Sequence, residues 1–312
     1  MILLWGIPGD SPLDATYAAL MRAGADFYLF DQRRAKSAHI ELIVEPGGLL
    51  SGSIDDGSSR IDLHKVCAAY IRPFETGKAC GIQDTQDPLY LQAAAADAAM
   101  LAWADLTRAA VVNPPAAMAA NNSKPYQMRL IQSYGFMVPD TLVTTSASAV
   151  EQFLARHESI IYKSVSGVRS IVSRLDMASA RGLTDLANCP TQFQEYIPGE
   201  DVRVHVAGDT ILATMVRSEA DDYRYAARKG SQVQMAAIEL PVDIAGACRT
   251  MVRGMGLHLA GIDFRLTPKG EWCCFEVNPS PGYTYYEAAT GQPLADAVAG
   301  LLIQLDGQIR VD

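Results

Sequence analysis

The first third of the chain alternates short apolar runs with segments whose apolar residues recur at helical spacing. The apolar runs at residues 2–7, 27–30 and 67–71 predict strands. Residues 14–22 predict a helix, and the alanine-rich segment at residues 88–108 predicts a longer one. Because these strands alternate with helices, we predict a largely parallel sheet in this part of the chain.

The end of this region is marked by residues 111–115, where a last apolar strand runs into two consecutive prolines. Consecutive prolines stop regular structure, so we place a domain boundary there. Residues 40–44 predict one further strand, whereas residues 51–60 are rich in Gly, Ser and Asp and predict turns. We therefore predict an N-terminal open-sheet α/β domain over residues 1–115.

Beyond this boundary the pattern changes to strands that pair with near neighbours. The segments that predict helices are residues 126–134 and 147–157, and those that predict strands are residues 160–164, 192–197, 202–207, 211–216, 261–266 and 272–278. We predict a central subdomain over residues 116–188 and an antiparallel C-terminal subdomain over residues 189–312. The whole chain is then an α/β protein with an α+β C-terminal half.

Composition and charge limit the kind of partner. Of 312 residues, 26 are basic and 35 acidic, a net charge of −9, which disfavours nucleic acid as the main partner. The first apolar run is short and has no basic residues before it, so it is not a signal peptide. No segment reaches the roughly 20 apolar residues of a membrane helix. Six cysteines without a CxxC pattern favour reduced, mostly buried thiols, and we expect a cytoplasmic protein without membrane partners.

The strongest local signal is the strand pair at residues 259–282. A turn at Thr267–Gly270 would place Asp263 opposite Cys274. Since side chains alternate along a strand, one face would then carry three oxygen ligands: Asp263, Glu276 and Asn278. Oxygen-only sets suit Mg²⁺. One extra loop residue would move Asp263 to the other face.

At this strand pair the chain resembles the ATP-grasp superfamily, which holds Mg²⁺ against ATP phosphates with an Asp on one strand and Glu-x-Asn on the next. Other marks of the family follow in order. The positions similar to its nucleotide-binding residues are Lys124, Lys163, Gly167 in the loop after it, the hinge residues Gln194, Glu195, Tyr196 and Ile197, and Asp201. The resemblance implies that the lysines hold phosphates and that the hinge backbone contacts adenine.

A narrower resemblance, covering nearly the full length, is to graspetide (microviridin-type) peptide maturases, relatives of the ribosomal-protein glutamate ligases. The segments that carry it are residues 61–63 with Val66, residues 69–73, Asp222-Tyr223-Arg224 and residues 287–297. Residues 279–283, Pro-Ser-Pro-Gly-Tyr, differ from the family's usual Asn-Pro followed by Gly and a Trp-containing stretch. The resemblance implies an ATP-dependent ligase that works through an acyl phosphate and uses two Mg²⁺ ions, with Mn²⁺ as a possible substitute.

The resemblance also implies roles for individual side chains. Arg203 and Arg224 would stabilise the transferring phosphoryl group. Candidate substrate contacts are Arg72, Arg217 and Tyr283; for Arg72, a surface salt bridge is an equal alternative. Among the five histidines a structural role is expected, although His205 shares a face with Arg203.

Three functions stay open at this point. The first is a ligase that acts on a peptide, and the second is a ligase of free amino acids or another small carboxylate. The third is a nucleotide- or peptide-binding module without activity. The relatives implied by the resemblance are often dimers, so a homodimer is a further expectation.

Overall fold

The structure is a computed structural model that describes residues 1–46, 50–165, 173–175, 184–218 and 232–309. Its strands are β1 (Ile2–Gly6), β2 (Phe27–Asp31), β3 (His39–Val44), β4 (Leu50–Asp55), β5 (Arg60–Asp62), β6 (Ala68–Arg72), β7 (Ala110–Val112), β8 (Thr141–Thr144), β9 (Ile160–Ser164), β10 (Ser173–Leu175), β11 (Thr191–Glu195), β12 (Glu200–Ala207), β13 (Thr210–Ser218), β14 (Val233–Ile238), β15 (Leu259–Leu266) and β16 (Trp272–Asn278). Its helices are α1 (Ser11–Arg22), α2 (Thr76–Cys80), α3 (Pro88–Leu106), α4 (Pro115–Met118), α5 (Lys124–Ser133), α6 (Ala147–Leu154), α7 (Val242–Gly254), α8 (Thr284–Thr290) and α9 (Leu294–Ile309).

The first sheet is parallel, as the alternating pattern predicts. Its order is β2-β1-β6-β7, and every neighbouring pair runs in the same direction. All five residues of β1 are buried because helices cover both faces of the sheet. One face packs against α3 through Met100 and Trp103, and the other packs against α1 and α9 through Leu20 and Val298.

The prediction of turns over residues 51–60 is wrong for most of that segment. It contains β4 and the start of β5, which form a separate antiparallel sheet in the order β3-β4-β5. The tight turn is confined to Asp56–Ser59, where the Asp56 amide donates to the Ser59 carbonyl. Ile54 is fully buried. It is an apolar residue between the polar Ser53 and Asp55, which is a strand pattern, but the neighbouring residues are of types common in turns.

The central sheet is antiparallel, with the order β10-β9-β11-β8. Helix α6 covers one face, where Phe153 packs with Ile160 and Phe193. The opposite face of β11 carries Gln192 and Gln194, because neighbouring side chains on a strand point to opposite faces.

The C-terminal sheet has five antiparallel strands in the order β14-β13-β12-β15-β16. Val202, Val204 and Val206 of β12 are buried on the face covered by α5 and α7. Arg203 and His205 therefore lie on the opposite face, towards α8 and α9. The predicted pairing of residues 202–207 with 211–216 is confirmed, including Ala207 opposite Thr210.

Helix α9 connects the first and last sheets, since it contacts β6, β7 and β12. Asn113, which follows β7, makes a second connection. Its side-chain amide donates to the carbonyls of Leu259 and Pro279, at 2.6 Å each, and its oxygen accepts from the His258 amide. Both connections cross the boundary predicted at residue 115. The domain boundaries at residues 115 and 188 stay a prediction.

The six cysteines are unpaired, and four of them are buried, as the sequence predicts. Within the described ranges, no helix has the length and apolar composition needed to cross a membrane.

Candidate active site

The β15–β16 strand pair places Asp263 opposite Glu276, not opposite Cys274. The predicted register is wrong because the loop is one residue longer, with the Thr267 amide donating to the Glu271 carbonyl. A β-bulge next to Asp263 then shifts the pairing by one more residue. The two shifts leave Cys274 fully buried and keep Glu276 on the face of Asp263.

Arg203 of β12 completes this face, because it lies opposite Asp263 on the other side of β15. Its Nη1 donates to Oδ1 of Asp263 at 2.6 Å, and the arginine side chain is only 6% exposed. The guanidinium lies over Gly261, where a Cβ atom would overlap Nη2. It also lies 5.7 Å from the centre of the Tyr286 ring.

His205 is the second neighbour of Arg203 on β12. Its Nε2 accepts from Nε of Arg203 at 3.4 Å, and its ring meets Tyr286 edge to face at 5.0 Å. Burial, and then the charge of Arg203, hold the pKa of His205 well below its usual range. The imidazole is therefore neutral, as an acceptor at Nε2 requires.

The strand that carries Glu276 and Asn278 is fixed by a glutamine of α5. The Gln127 amide donates to the Val277 carbonyl at 2.8 Å, and its oxygen accepts from the Val277 amide at 3.1 Å. Gln127 therefore holds the backbone between the two metal-type residues. The sequence reasoning missed it, since a single glutamine one turn before Ile131 on a helix gives no distinguishing signal.

The donor set of this face fits Mg²⁺ by its chemistry. It consists of two carboxylates and one amide oxygen, from Asp263, Glu276 and Asn278, with no sulfur or imidazole. Asn278 Oδ1 accepts from the Ser280 amide at 2.9 Å, which orients the side chain. No cluster of three or more His, Cys, Asp or Glu side chains able to hold a metal occurs in the described part of the chain.

A second polar face lies on the central sheet. Lys163 of β9 is half-buried and lies directly opposite Gln192 of β11. Gln194 lies on the same face, and its amide donates to Thr141 Oγ1 at 3.0 Å and approaches Sδ of Met128 on α5. Helix α5 thus contacts this face through Met128 and the metal-type strand through Gln127.

The predicted hinge residues lie where β11 ends. Glu195 accepts from the Asp140 amide, and the Tyr196 hydroxyl accepts from Arg174 of β10 at 2.7 Å. The Ile197 carbonyl accepts from Arg265 at 2.9 Å.

Asp201 is paired with the same arginine, since Arg265 Nε donates to its Oδ1 at 2.8 Å. Arg265 therefore joins the hinge to Asp201, a link that the sequence reasoning did not include. The Arg265 guanidinium also lies near the Phe275 ring, which the bulge places on this face.

Arg72 lies at the carboxyl end of β6, paired with Asp10, which follows β1. Its Nη1 donates to Ser280 Oγ at 2.9 Å and to the Pro281 carbonyl at 3.3 Å. The salt bridge of the predicted alternative is therefore present, but it is largely buried, since both side chains are only 12% exposed. Arg72 joins the crevice of the parallel sheet to the segment after Asn278.

Of the five other predicted residues, three belong to the described part of the chain. Tyr283 is 1% exposed and its hydroxyl donates to the Pro12 carbonyl at 2.7 Å, so burial argues against direct substrate contact. Arg217 pairs with Glu200, and its side chain is 64% exposed. Lys124 begins α5 and is half-buried. Gly167 and Arg224 lie outside the described residues.

Comparison with known proteins gives matches over most of the chain. The family model of the RimK-like ATP-grasp domain matches residues 96–302, about two thirds of the chain. A probable alpha-L-glutamate ligase of Photobacterium profundum is 36% identical over 118 residues, 36% of each chain. One from Shewanella loihica is 24% identical over 198 residues, 60% of this chain and 65% of that protein. The chain thus matches between about a third and two thirds of the length of these relatives.

Solved structures match nearly the whole chain, among them those of a ligase and a macrocyclase. The ATP-grasp ligase PsnB, complexed with a phosphomimetic variant of its minimal precursor, Mg and ADP, is 26% identical with a TM-score of 0.81 and 98% coverage of both chains. The macrocyclase MdnC from Microcystis aeruginosa, bound with precursor peptide MdnA, is 23% identical with a TM-score of 0.79, covering 97% of this chain and all of that chain. The predicted fold and resemblance are confirmed, and the chain belongs to the RimK-like ATP-grasp domain family.

Proposed function

We propose that this protein is an ATP- and Mg²⁺-dependent ligase that joins a carboxylate to an amine or a hydroxyl through an acyl phosphate, with a peptide as substrate. One observation carries the proposal. Arg203, Asp263 and Glu276 lie side by side on three adjacent strands, with the arginine almost fully buried. A fixed cation beside two carboxylates suits a site where a metal ion, held by the carboxylates, and an arginine both bind oxygens of one triphosphate.

The roles of the residues follow from their charge. Asp263, Glu276 and Asn278 would hold Mg²⁺, which neutralises phosphate charge when bound. Lys163 and Lys124 would hold phosphate oxygens as compact positive charges. The backbone of the hinge residues would contact adenine; these residues are Gln194, Glu195, Tyr196 and Ile197. Gly167, Asp201 and Arg224 stay predictions from the resemblance.

The proposed reaction has two steps. A carboxylate oxygen of the substrate attacks the γ-phosphorus, the bond to the β-phosphate oxygen breaks, and ADP leaves. An amine or hydroxyl of the acceptor then attacks the acyl carbon, phosphate leaves with the bonding electrons, and the acceptor loses a proton. Arg203 stabilises negative charge on the transferred phosphoryl group in both steps. Positioning and electrostatics carry the catalysis, so no side-chain nucleophile is required.

Arg72 is the proposed contact for the substrate carboxylate or acceptor. It lies at the carboxyl end of a parallel strand, beside β1, where the order of the sheet reverses. Its bonds to Ser280 and Pro281 bring it to the segment after the metal-type residues. Arg217 is exposed and paired with Glu200, which supports a smaller contribution to substrate binding than that of Arg72.

The preference for a peptide rests on full-length similarity to ligases solved with precursor peptides. A second candidate is addition of free glutamate, which the names of the curated relatives favour over the matched part of the chain. A homodimer, the number of Mg²⁺ ions, use of Mn²⁺ and a cytoplasmic location stay predictions.

The test is ADP release and product mass, measured with MgATP and a library of peptides that contain acidic residues together with Lys, Ser or Thr. Ligation within a peptide removes one water per bond, whereas addition of glutamate increases the mass by a glutamate residue. Glu276→Ala and Asn278→Ala should abolish either product. Nucleotide binding by the wild-type protein without ADP release on any substrate would support a binding module instead.

A further inference from the structure

His205 is a buried histidine whose ring lies beside the guanidinium of Arg203. It is 2% exposed, and its Nε2 accepts from Nε of the arginine at 3.4 Å. Because Nε2 accepts, the ring proton lies on Nδ1, which has no hydrogen-bond partner in the described part of the chain. A buried donor without a partner is costly to the folded state, so an apolar side chain would fill this position at a lower cost. Packing alone therefore does not account for the imidazole.

The guanidinium of Arg203 is contacted at both ends of its plane. Nε donates to His205 at one end, and Nη1 donates to Asp263 at the other, at 2.6 Å. A contact at Nη1 alone would let the planar group pivot, whereas contacts at two separated nitrogens define its orientation. The Tyr286 ring lies 5.7 Å from the guanidinium and meets His205 edge to face, so it packs against both partners.

The side chain of Arg203 also leans along its strand towards His205. Arg203 is opposite Asp263 in the pairing of β12 with β15, and His205 is opposite Gly261. The guanidinium lies over Gly261, where a Cβ atom would overlap Nη2. It therefore occupies the space beside His205 that the absence of a side chain at Gly261 leaves open.

We propose that His205 is a positioning residue, which holds the Arg203 guanidinium in the orientation that stabilises the transferring phosphoryl group. This inference rests on the proposed function, because it needs phosphoryl transfer at Arg203. A preorganised donor stabilises developing charge without reorganising, so a guanidinium of the right charge in the wrong orientation loses part of its effect. Since that effect belongs to the transition state, the loss should appear in kcat more than in nucleotide binding.

The test compares His205→Met with His205→Gln. The two side chains are similar in size, and only glutamine offers an acceptor to Nε of Arg203. Steady-state ADP release is measured with MgATP and the library peptide that gives the fastest rate. His205→Met should lower kcat about tenfold, the effect of losing a hydrogen bond to a charged group, with KM for MgATP near that of the wild type. His205→Gln should recover most of kcat, and His64→Met, at an exposed position, should equal the wild type.

A double variant separates an effect through Arg203 from an independent one. Arg203→Met combined with His205→Met should have the kcat of Arg203→Met alone, because no guanidinium is left to position. A further fall of about tenfold in the double variant would show that His205 acts by another route and would overturn the proposal. A loss of kcat that is equal in His205→Met and His205→Gln would overturn it as well.

An NMR measurement on the ligand-free protein does not depend on the reaction. The Nε–H signal of Arg203, identified by its absence in Arg203→Met, should exchange with water faster in His205→Met than in the wild type. His205→Gln should restore slow exchange, and equal rates in the wild type and His205→Met would contradict the positioning role. Absence of ADP release by the wild type on any substrate would overturn the proposed function, whereas normal turnover in His205→Met would overturn only the role of His205.

Discussion

Arg203 and Asp263 lie directly opposite each other on β12 and β15, with Nη1 of the arginine 2.6 Å from Oδ1 of the aspartate. The arginine side chain is 6% exposed and the aspartate 25%, so the charged pair sits at the edge of solvent with the cation on the buried side. Asp263 is thus shared between a cation of the protein and the proposed metal. The buried position fixes the guanidinium before any ligand arrives, which is the condition for electrostatic catalysis without reorganisation.

Removing the guanidinium should affect turnover more than binding. For Arg203→Met we expect kcat for ADP release to fall by about 10²–10³-fold, the usual effect of removing one donor to a developing charge. The measurement is steady-state ADP release with the substrate identified by the library screen. Arg253→Met is the control, since its side chain is 63% exposed and paired with Asp209 at the surface. An unchanged kcat in Arg203→Met would contradict the assigned role.

Gly261 should be as important as the arginine itself. A methyl group at this position would overlap Nη2 of Arg203 and crowd Pro281, so Gly261→Ala should displace the guanidinium and reduce kcat to a similar extent. Gly300→Ala on α9 meets no atom within 4 Å and serves as the control. Full activity in Gly261→Ala would contradict this prediction. It would mean that the Arg203 guanidinium can stabilise the phosphoryl group from a displaced position.

Glu276 should control metal-dependent nucleotide binding. Glu276→Gln keeps the shape of the side chain but removes one of the two carboxylates, so the gain in ADP affinity that Mg²⁺ provides should be reduced about tenfold or more. Calorimetry of ADP binding with and without Mg²⁺ measures this difference. Glu271→Gln, in the turn of the same strand pair, should retain the full Mg²⁺ effect. The same effect of Mg²⁺ in Glu276→Gln and wild type would exclude a metal at this carboxylate.

His205 should make the fold less stable in weak acid. Burial, followed by the charge of Arg203, lowers its pKa in the folded state, whereas the unfolded chain protonates near pH 6.5. Below that pH the unfolded state binds the additional proton, so the free energy of unfolding falls as pH decreases. One such group contributes a slope of at most about 1.4 kcal/mol per pH unit.

The measurement for His205 is urea unfolding between pH 7.5 and 5. His205→Gln keeps an acceptor near the Nε2 position without a titrating group, so its slope should be smaller than that of the wild type. His64→Gln, at an exposed position, is the control and should keep the wild-type slope. Equal slopes for all three proteins would show that His205 does not contribute.

Helix α7 offers a stabilising change away from the site. Gly246 lies in its interior, and a Cβ there meets no atom within 4 Å, so Gly246→Ala should raise the free energy of unfolding by about 0.5–1 kcal/mol. Gly208 gives the opposite case, since its φ is +59° and a Cβ would crowd Leu301. Gly208→Ala should therefore destabilise the protein. Thermal unfolding of both variants tests the pair, and a stabilised Gly208→Ala would be the contrary result.

Much of the architecture is local in origin and could be predicted. The parallel sheet followed from apolar runs that alternate with helices, and the β12–β13 pairing followed from the Gly208-Asp209 turn. The β4 strand was missed because serine, glycine and aspartate are common in turns, and only burial of Ile54 against the first sheet favours the strand.

The sequence by itself determined which residue types are available to the site and, by alternation, that Arg203 and His205 share one face of β12. It did not determine the register of β15 and β16, because an extra loop residue and a bulge each shift the pairing by one and only packing of Cys274 and Val277 in the same core selects both shifts. Tertiary structure also decided the partners of buried polar groups, such as Arg265 with Asp201 and Arg72 with Asp10. These partners are more than 60 residues apart in the chain, and local pattern holds no information about which distant charge will offset the desolvation of a buried one.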